Sequence, residues 1–230
     1  MTYVTGNLHG CYTKFMELLR QIKFRDKDVM YVLGDIVDMG EEPMELVCDL
    51  SMRYNVYTIA GEHDFRAVRM LSGFEKMLSS GNTAPDAKYI AEMQEWMAQG
   101  GKSTLDGYRG LDAEMKEGVL DYLSDLGLYE EIRVSGKDYV LVHAGLGDIA
   151  EGGEGECAPE EFFDNPIDFN GKAPIEGKTV IAAHIPTSEI AGAEADKIFR
   201  AEGIIAVDCG AARGGRIGCI RLEDGAEFYA

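Results

Sequence analysis

"DVMYVLGDIVDMG", residues 28–40, joins an apolar run to a loop of glycine and aspartate. Val29 to Leu33 form a continuous apolar stretch too short for a helix, which predicts a buried strand, and Gly34-Asp35 ends it. The same grammar occurs on both sides. Upstream, Tyr3-Val4 runs into "GNLHG" at 6–10; downstream, "NVYTIAGEHD" at 55–64 runs into Gly61-Glu62-His63-Asp64. Between these strands lie two helical patterns. In "CYTKFMELLRQIKF" (11–24), Phe15, Leu18, Leu19 and Ile22 share one face, and in "EEPMELVCDL" (41–50) Pro43 suits a first turn ahead of Met44, Val47 and Cys48. A βαβαβ order follows, and its three polar loops emerge at one carboxyl edge of a parallel sheet, where α/β proteins place their ligands.

Composition bounds the function. The chain has 230 residues, 46% of them hydrophobic, enough to bury one full core, and residues 1–230 are read as a single domain. Its 41 acidic against 22 basic residues leave a net charge of -19, which repels nucleic acid and anionic membranes. A phosphate-bearing substrate would need local cationic help from metal ions or placed arginines. The five cysteines are odd in number, form no CxxC pair and read as small buried residues. With no leader-like segment and no membrane-length apolar run, the expectation is a soluble, reduced, cytoplasmic protein.

Residues 86 to about 126 read as a helical insert. Ile90, Met93, Trp96 and Met97 make one apolar stripe and Val119, Tyr122, Leu123 and Leu126 another, with "QGGKSTLDG" (99–107) expected as the break between them. Trp96 reads as core or lid. Strand patterns then return: a hairpin around Ser135-Gly136-Lys137, followed by "KTVIAAH", "GIIAVDCG", "RIGCIRL" and "AEFYA". The acidic "EGGEGECAPEE" (151–161) reads as a solvated loop without the alternating oxygens of a calcium site.

All four histidines, His9, His63, His143 and His184, follow predicted strands and have small neighbours. One alone reads more readily as structural. Four of four, together with Asp35, Asp38, Glu62 and Asp64 at the same edge, form a mixed imidazole and carboxylate set suited to manganese, iron or zinc and too nitrogen-rich for calcium.

"GNLHGCY", "GDIVDMG", "GEHD", "VLVHAG", "AHIPT" and "VDCGA" resemble, in order and over nearly the whole chain, the motifs of the bacterial phosphoprotein phosphatase family of calcineurin-like metallophosphoesterases. The resemblance implies an α/β fold with a central β-sandwich flanked by helices and two metal ions at the strand ends. It implies that His9 and Asp35 bind one ion, and that Asp35 bridges to a second held by residue 62, His143 and His184. His63 would protonate the leaving oxygen and Asp38 would orient it.

Several positions depart from that family's pattern. Asn7 replaces an aspartate ligand and Glu62 an asparagine, so two carboxylates remain but shift toward the second ion. One tight site (Asp35, Glu62, His143, His184) and one weak site (Asn7, His9, Asp35) are expected. Met39 stands where the family carries a phosphate-binding arginine, and methionine offers no guanidinium fork. Ala60, the Trp-free and Arg-free "EEFFDNPIDF" (160–169), and Ala183 and Ile185 around His184 are further departures. Arg213, after "VDCGA", is the replacement expected to bind phosphate. The resulting expectation is a phosphoesterase of serine/threonine protein phosphatase type, hydrolysing phosphorylated protein or small phosphomonoesters by metal-activated water with weakened or altered activity, with dinucleoside polyphosphates a further candidate. The alternative is a pseudophosphatase that binds metal or ligand for regulatory ends.

Overall fold

Strand alternation sorts side chains between two faces, and here it builds a three-layered molecule. In the computed structural model, which describes residues 1–79, 86–147, 149 and 158–230, β1 (Thr2–Thr5), β2 (Val29–Leu33) and β3 (Val56–Ile59) lie side by side and parallel. The crossovers are α1 (Tyr12–Gln21) and α2 (Pro43–Ser51). All three strands therefore end at one edge, as the sequence predicts. α3 (Glu62–Ser79) starts directly from the third loop.

The helical insert continues as α4 (Ala87–Trp96), α5 (Lys102–Arg109) and α6 (Ala113–Ser124). Here the structure corrects the expected break at 99–107: only a wide π-type turn, Met97–Gly101, interrupts the helices. Residues 102–109 stay helical because Thr104, Leu105 and Tyr108 at i, i+1 and i+4 are buried on one face.

β4 (Tyr129–Val134) and β5 (Lys137–Val142) form the expected antiparallel hairpin. α7 (Glu161–Asp164), β6 (Thr179–Ala182), β7 (Phe199–Ala201) and β8 (Ile204–Ala206) follow. The second sheet has the order β4-β5-β6-β8-β7. β7 gave no sequence signal, since three residues at an edge are too few to show alternation. β9 (Gly218–Arg221) and β10 (Glu227–Tyr229) return to the first sheet, whose order is β10-β9-β1-β2-β3, so that sheet is mixed.

Val4, Leu33, Ile59 and Ile220 of the first sheet meet Leu141, Ile181 and Ile205 of the second in the sandwich interior. On the outer face of the first sheet, Met30 and Val32 pack with Phe15, Leu46, Trp96, Tyr108 and Leu123 of the helices. The four described cysteines are free thiols, Cys209 and Cys219 buried as expected of small core residues. Most of the predicted acidic loop at 151–161 lies outside the described residues. No helix among the described residues is long and apolar enough to cross a membrane.

Candidate active site

The polar loops at the sheet edge hold backbone that few side chains tolerate. Asn7, His9, Asp35, Asp38, Met39 and His184 all have φ between 41° and 68°. Asn, Asp and His enter this left-handed region most readily after glycine, at roughly 1–2 kcal/mol per residue. Cross-loop hydrogen bonds hold them there: His9 N–H donates to Asp35 O at 2.8 Å, Gly10 N–H to Ile36 O at 2.8 Å, and Gly40 N–H to His9 O at 2.9 Å. Asp64, buried on the first turn of α3, accepts from the amides of Gly61, Ile36 and Val37 and so ties the second and third loops together. Burial, with Asp35 nearby, pushes its carboxyl up to about 7. Asp64 is thus a structural clamp.

Asp35 lies at the centre. Its Oδ2 is 3.6 Å from His9 Nε2 and 3.4 Å from His143 Nε2. Two groups of donors converge on it: His9, Asp35 and His63, and Asp35, His143 and His184, the donor atoms within each group all within 4.8 Å of one another. The ring orientations suit a metal. His9 Nδ1 sits 3.0 Å from Val37 O, and His143 Nδ1 sits 2.8 Å from Leu33 O. A carbonyl only accepts, so both Nδ1 atoms carry hydrogen and both Nε2 lone pairs face the Asp35 carboxylate. Burial holds both imidazoles below their usual range, and so neutral. Burial opposes ionisation of Asp35, and the cationic His63, whose amide also donates to Asp35 Oδ1 at 3.0 Å, favours it. Neutral lone pairs aimed at a carboxylate repel it until a cation lies among them. These are two partial, adjacent donor clusters sharing Asp35, an arrangement consistent with a binuclear divalent-metal site. Asn7 is buried with its amide nitrogen 3.3 Å from Asp35 Oδ2 and its oxygen accepting from His184 N–H at 3.4 Å.

His63, of the first cluster, turns its Nδ1 to Asp38 Oδ2 at 2.7 Å. Asp38 is fully buried and accepts two more hydrogen bonds, from Trp96 Nε1 at 2.8 Å and Thr104 Oγ1 at 2.6 Å. Sequence reading missed both partners, which lie beyond the motif loops; the Trp96 indole in an otherwise apolar stripe was the available signal. Burial disfavours the His63 cation, yet the Asp38 hydrogen bond and the charges of Asp35, Asp38 and Glu62 raise it to about 9. The folded value lies above the 6.5 of a free imidazole, so the pair's stabilisation is complete below pH 6.5 and is lost as the pH rises through about 9. Urea unfolding of metal-free protein should show this loss, on the order of 3 kcal/mol, and His63→Asn should flatten it. Parallel pH profiles for the two proteins would show that the pair adds nothing.

Of the remaining expected site residues, Glu62 stays outside both clusters, its side chain 48% exposed and its Oε1 3.9 Å from His63 Nε2. Arg213 stands at the rim, about as exposed as its partner Glu189, with Nη1 2.9 Å from Glu189 Oε1. Met39, Glu62, His63, Asp208 and Arg213 all line one cavity of about 170 Å³. Asp208, not singled out from sequence, is a buried carboxyl that burial pushes up to about 7. The "EEFFDNPIDF" segment supplies Phe163, whose ring packs 6.1 Å from that of His143. Apolar packing there supports the His143 ring from one side.

The chain belongs to the calcineurin-like phosphoesterase family, whose profile matches residues 2–188. Among curated proteins it is similar to the symmetrical bis(5'-nucleosyl)-tetraphosphatases of Haemophilus ducreyi, 33% identical over 103 residues, and of a Marinomonas species, 34% identical over 98 residues. Each match takes in 42% of this chain, and 37% and 35% of the respective relative. A solved structure of a candidate diadenosine tetraphosphatase superposes over 100% of this chain and 92% of its own, with a TM-score of 0.66 at 18% identity. A metallophosphoesterase from Sphaerobacter thermophilus gives a TM-score of 0.54 at 16% identity, over 99% and 85% of the two chains. These structures show the fold. The curated relatives correct the expected assignment to the serine/threonine protein phosphatase branch: the chain is related to the dinucleoside-tetraphosphatase branch.

Proposed function

We propose that the protein hydrolyses a phosphoanhydride bond of a dinucleoside polyphosphate, with the reacting phosphates in the cavity and the nucleosides outside it. The observation that carries this reading is the pair of donor clusters sharing Asp35, with His63 of one cluster hydrogen-bonded to the buried Asp38, and with His9, Asp35, His63 and His184 lining one cavity. The cavity of about 170 Å³, lined by His9, Asp35, His63 and Arg213, has room for phosphate groups. The similarity to tetraphosphatases supports the substrate class, and the phosphoprotein substrate expected from sequence is set aside with the branch it came from.

Asp35, His143 and His184 hold the tighter ion, and His9, Asp35 and Asn7 the weaker. Divalent ions bound there supply Lewis acidity and acidify water. His63, tied through Nδ1 to Asp38, presents Nε2 to the cavity and donates a proton to the leaving phosphate oxygen. Arg213 leaves Glu189 to meet a phosphate oxygen, and Glu62 at the rim stays in solvent. With the machinery assembled, turnover is the preferred reading over a regulatory binder.

The test is incubation of the manganese-loaded protein with a dinucleoside tetraphosphate, products resolved by anion exchange. Two nucleoside diphosphates are expected, and intact substrate with ions bound overturns the reading. In the same preparation His143→Ala should lose the tight ion by calorimetry while His9→Ala keeps it; two equal, high affinities in the parent protein would contradict this division.

A further inference from the structure

Asp38 is gripped from outside the motif loops. Trp96, the chain's single tryptophan, ends α4 fully buried, and its Nε1–H shares Asp38 Oδ2 with His63. Thr104 of α5 uses its hydroxyl twice: its proton goes to Asp38 Oδ1, and its oxygen accepts the Asp38 amide at 2.9 Å. The intervening turn is built for this contact. Gly100, at φ 113°, accepts the Met39 amide at 3.0 Å, and a Cβ there would come within 2.8 Å of Met39 Cγ. A Cβ on Gly101 would strike the Trp96 indole at 2.2 Å. Wide π-type turns recur at working sites, and here one seats an indole on a carboxylate.

We propose that Trp96 and Thr104 are positioning residues that hold Asp38 as a pure acceptor and thereby fix which nitrogen of His63 faces the substrate, making the helical insert a working part of the active centre. The inference builds on the hydrolytic reading of the site. An indole N–H only donates. A proton on Asp38 Oδ2 would confront both the indole and the imidazole, so Oδ2 accepts from both. His63 then donates through Nδ1, and its Nε2 is turned to the cavity. Thr104 pins the other oxygen and the left-handed backbone of Asp38 with one hydroxyl. A Trp96 serving only as packing would leave this grip without consequence for proton transfer.

Trp96→Phe keeps a ring and removes the donor, Thr104→Val keeps the shape and removes the hydroxyl, and Thr104→Ser restores it. With metals bound, kcat for phenyl phosphate, a poor leaving group, is expected to fall about tenfold or more in Trp96→Phe and Thr104→Val. For p-nitrophenyl phosphate it should fall much less, with KM unchanged in both cases, and Thr104→Ser should recover the loss. Equal losses on both substrates, or none, overturn the proposal. The lone indole N–H resonance of the metal-free protein gives a readout without turnover: it should lie downfield of free tryptophan and move in Asp38→Asn, and an unshifted, unmoved resonance also overturns it. Wild-type protein that cleaves aryl phosphates but not the tetraphosphate contradicts the substrate reading alone. Variants with parental selectivity on a cleaved tetraphosphate and on both aryl esters contradict this inference alone.

Discussion

Asp35→Asn is expected to release both metal ions and to lower turnover by roughly a thousandfold or more. Asp35 is the one carboxylate common to the two donor clusters, and its Oδ2 faces Nε2 of both His9 and His143. An amide supplies no charge and turns one end into a donor, which is the wrong sign toward a cation. Because the side chain is 3% exposed, solvent cannot replace it. Elemental analysis after dialysis against manganese, with circular dichroism to confirm folding, measures the effect. A folded Asp35→Asn protein that retains one tightly held ion would remove Asp35 from the shared position.

Asn7→Asp should act in opposite directions with and without metal. In the parent protein the Asn7 amide donates to Asp35 Oδ2 at 3.3 Å, and both residues are buried. An aspartate there places two carboxylates in contact in a dry site, so metal-free protein should lose about 2–4 kcal/mol of stability or take up a proton. With ions present the second carboxylate completes the His9 side, and the weaker ion should bind roughly 10- to 100-fold more tightly. Denaturation with and without manganese reads the first effect, calorimetric titration the second. Unchanged affinity at the weaker site would show that Asn7 does not face that ion.

The contrast between Asp35 and Glu62 shows where sequence reading reached its limit. Both follow a glycine after a strand, so spacing placed both backbones at the right edge. Glu62, however, opens the first turn of α3, where side-chain direction follows the helix, and its carboxylate turns to solvent. A motif position sets where a Cα lies, and the local backbone sets where its side chain points. Asp64, two residues on, was grouped with candidate ligands; three amide donors make it the clamp between loops.

The βαβαβ order, the shared carboxyl edge, the hairpin at Ser135-Gly136 and the convergence of four histidines were determined by the sequence alone, because strand periodicity, glycine loops and crossover handedness are local or nearly local rules. Only the tertiary structure decided that Trp96 and Thr104 reach Asp38, from 58 and 66 residues away, that the insert folds onto the first sheet, and that Arg213 is paired with Glu189. Those contacts join segments whose patterns carry no record of one another. The wide turn at Met97–Gly101 sets where the indole lands, and helical periodicity reports only that it is buried.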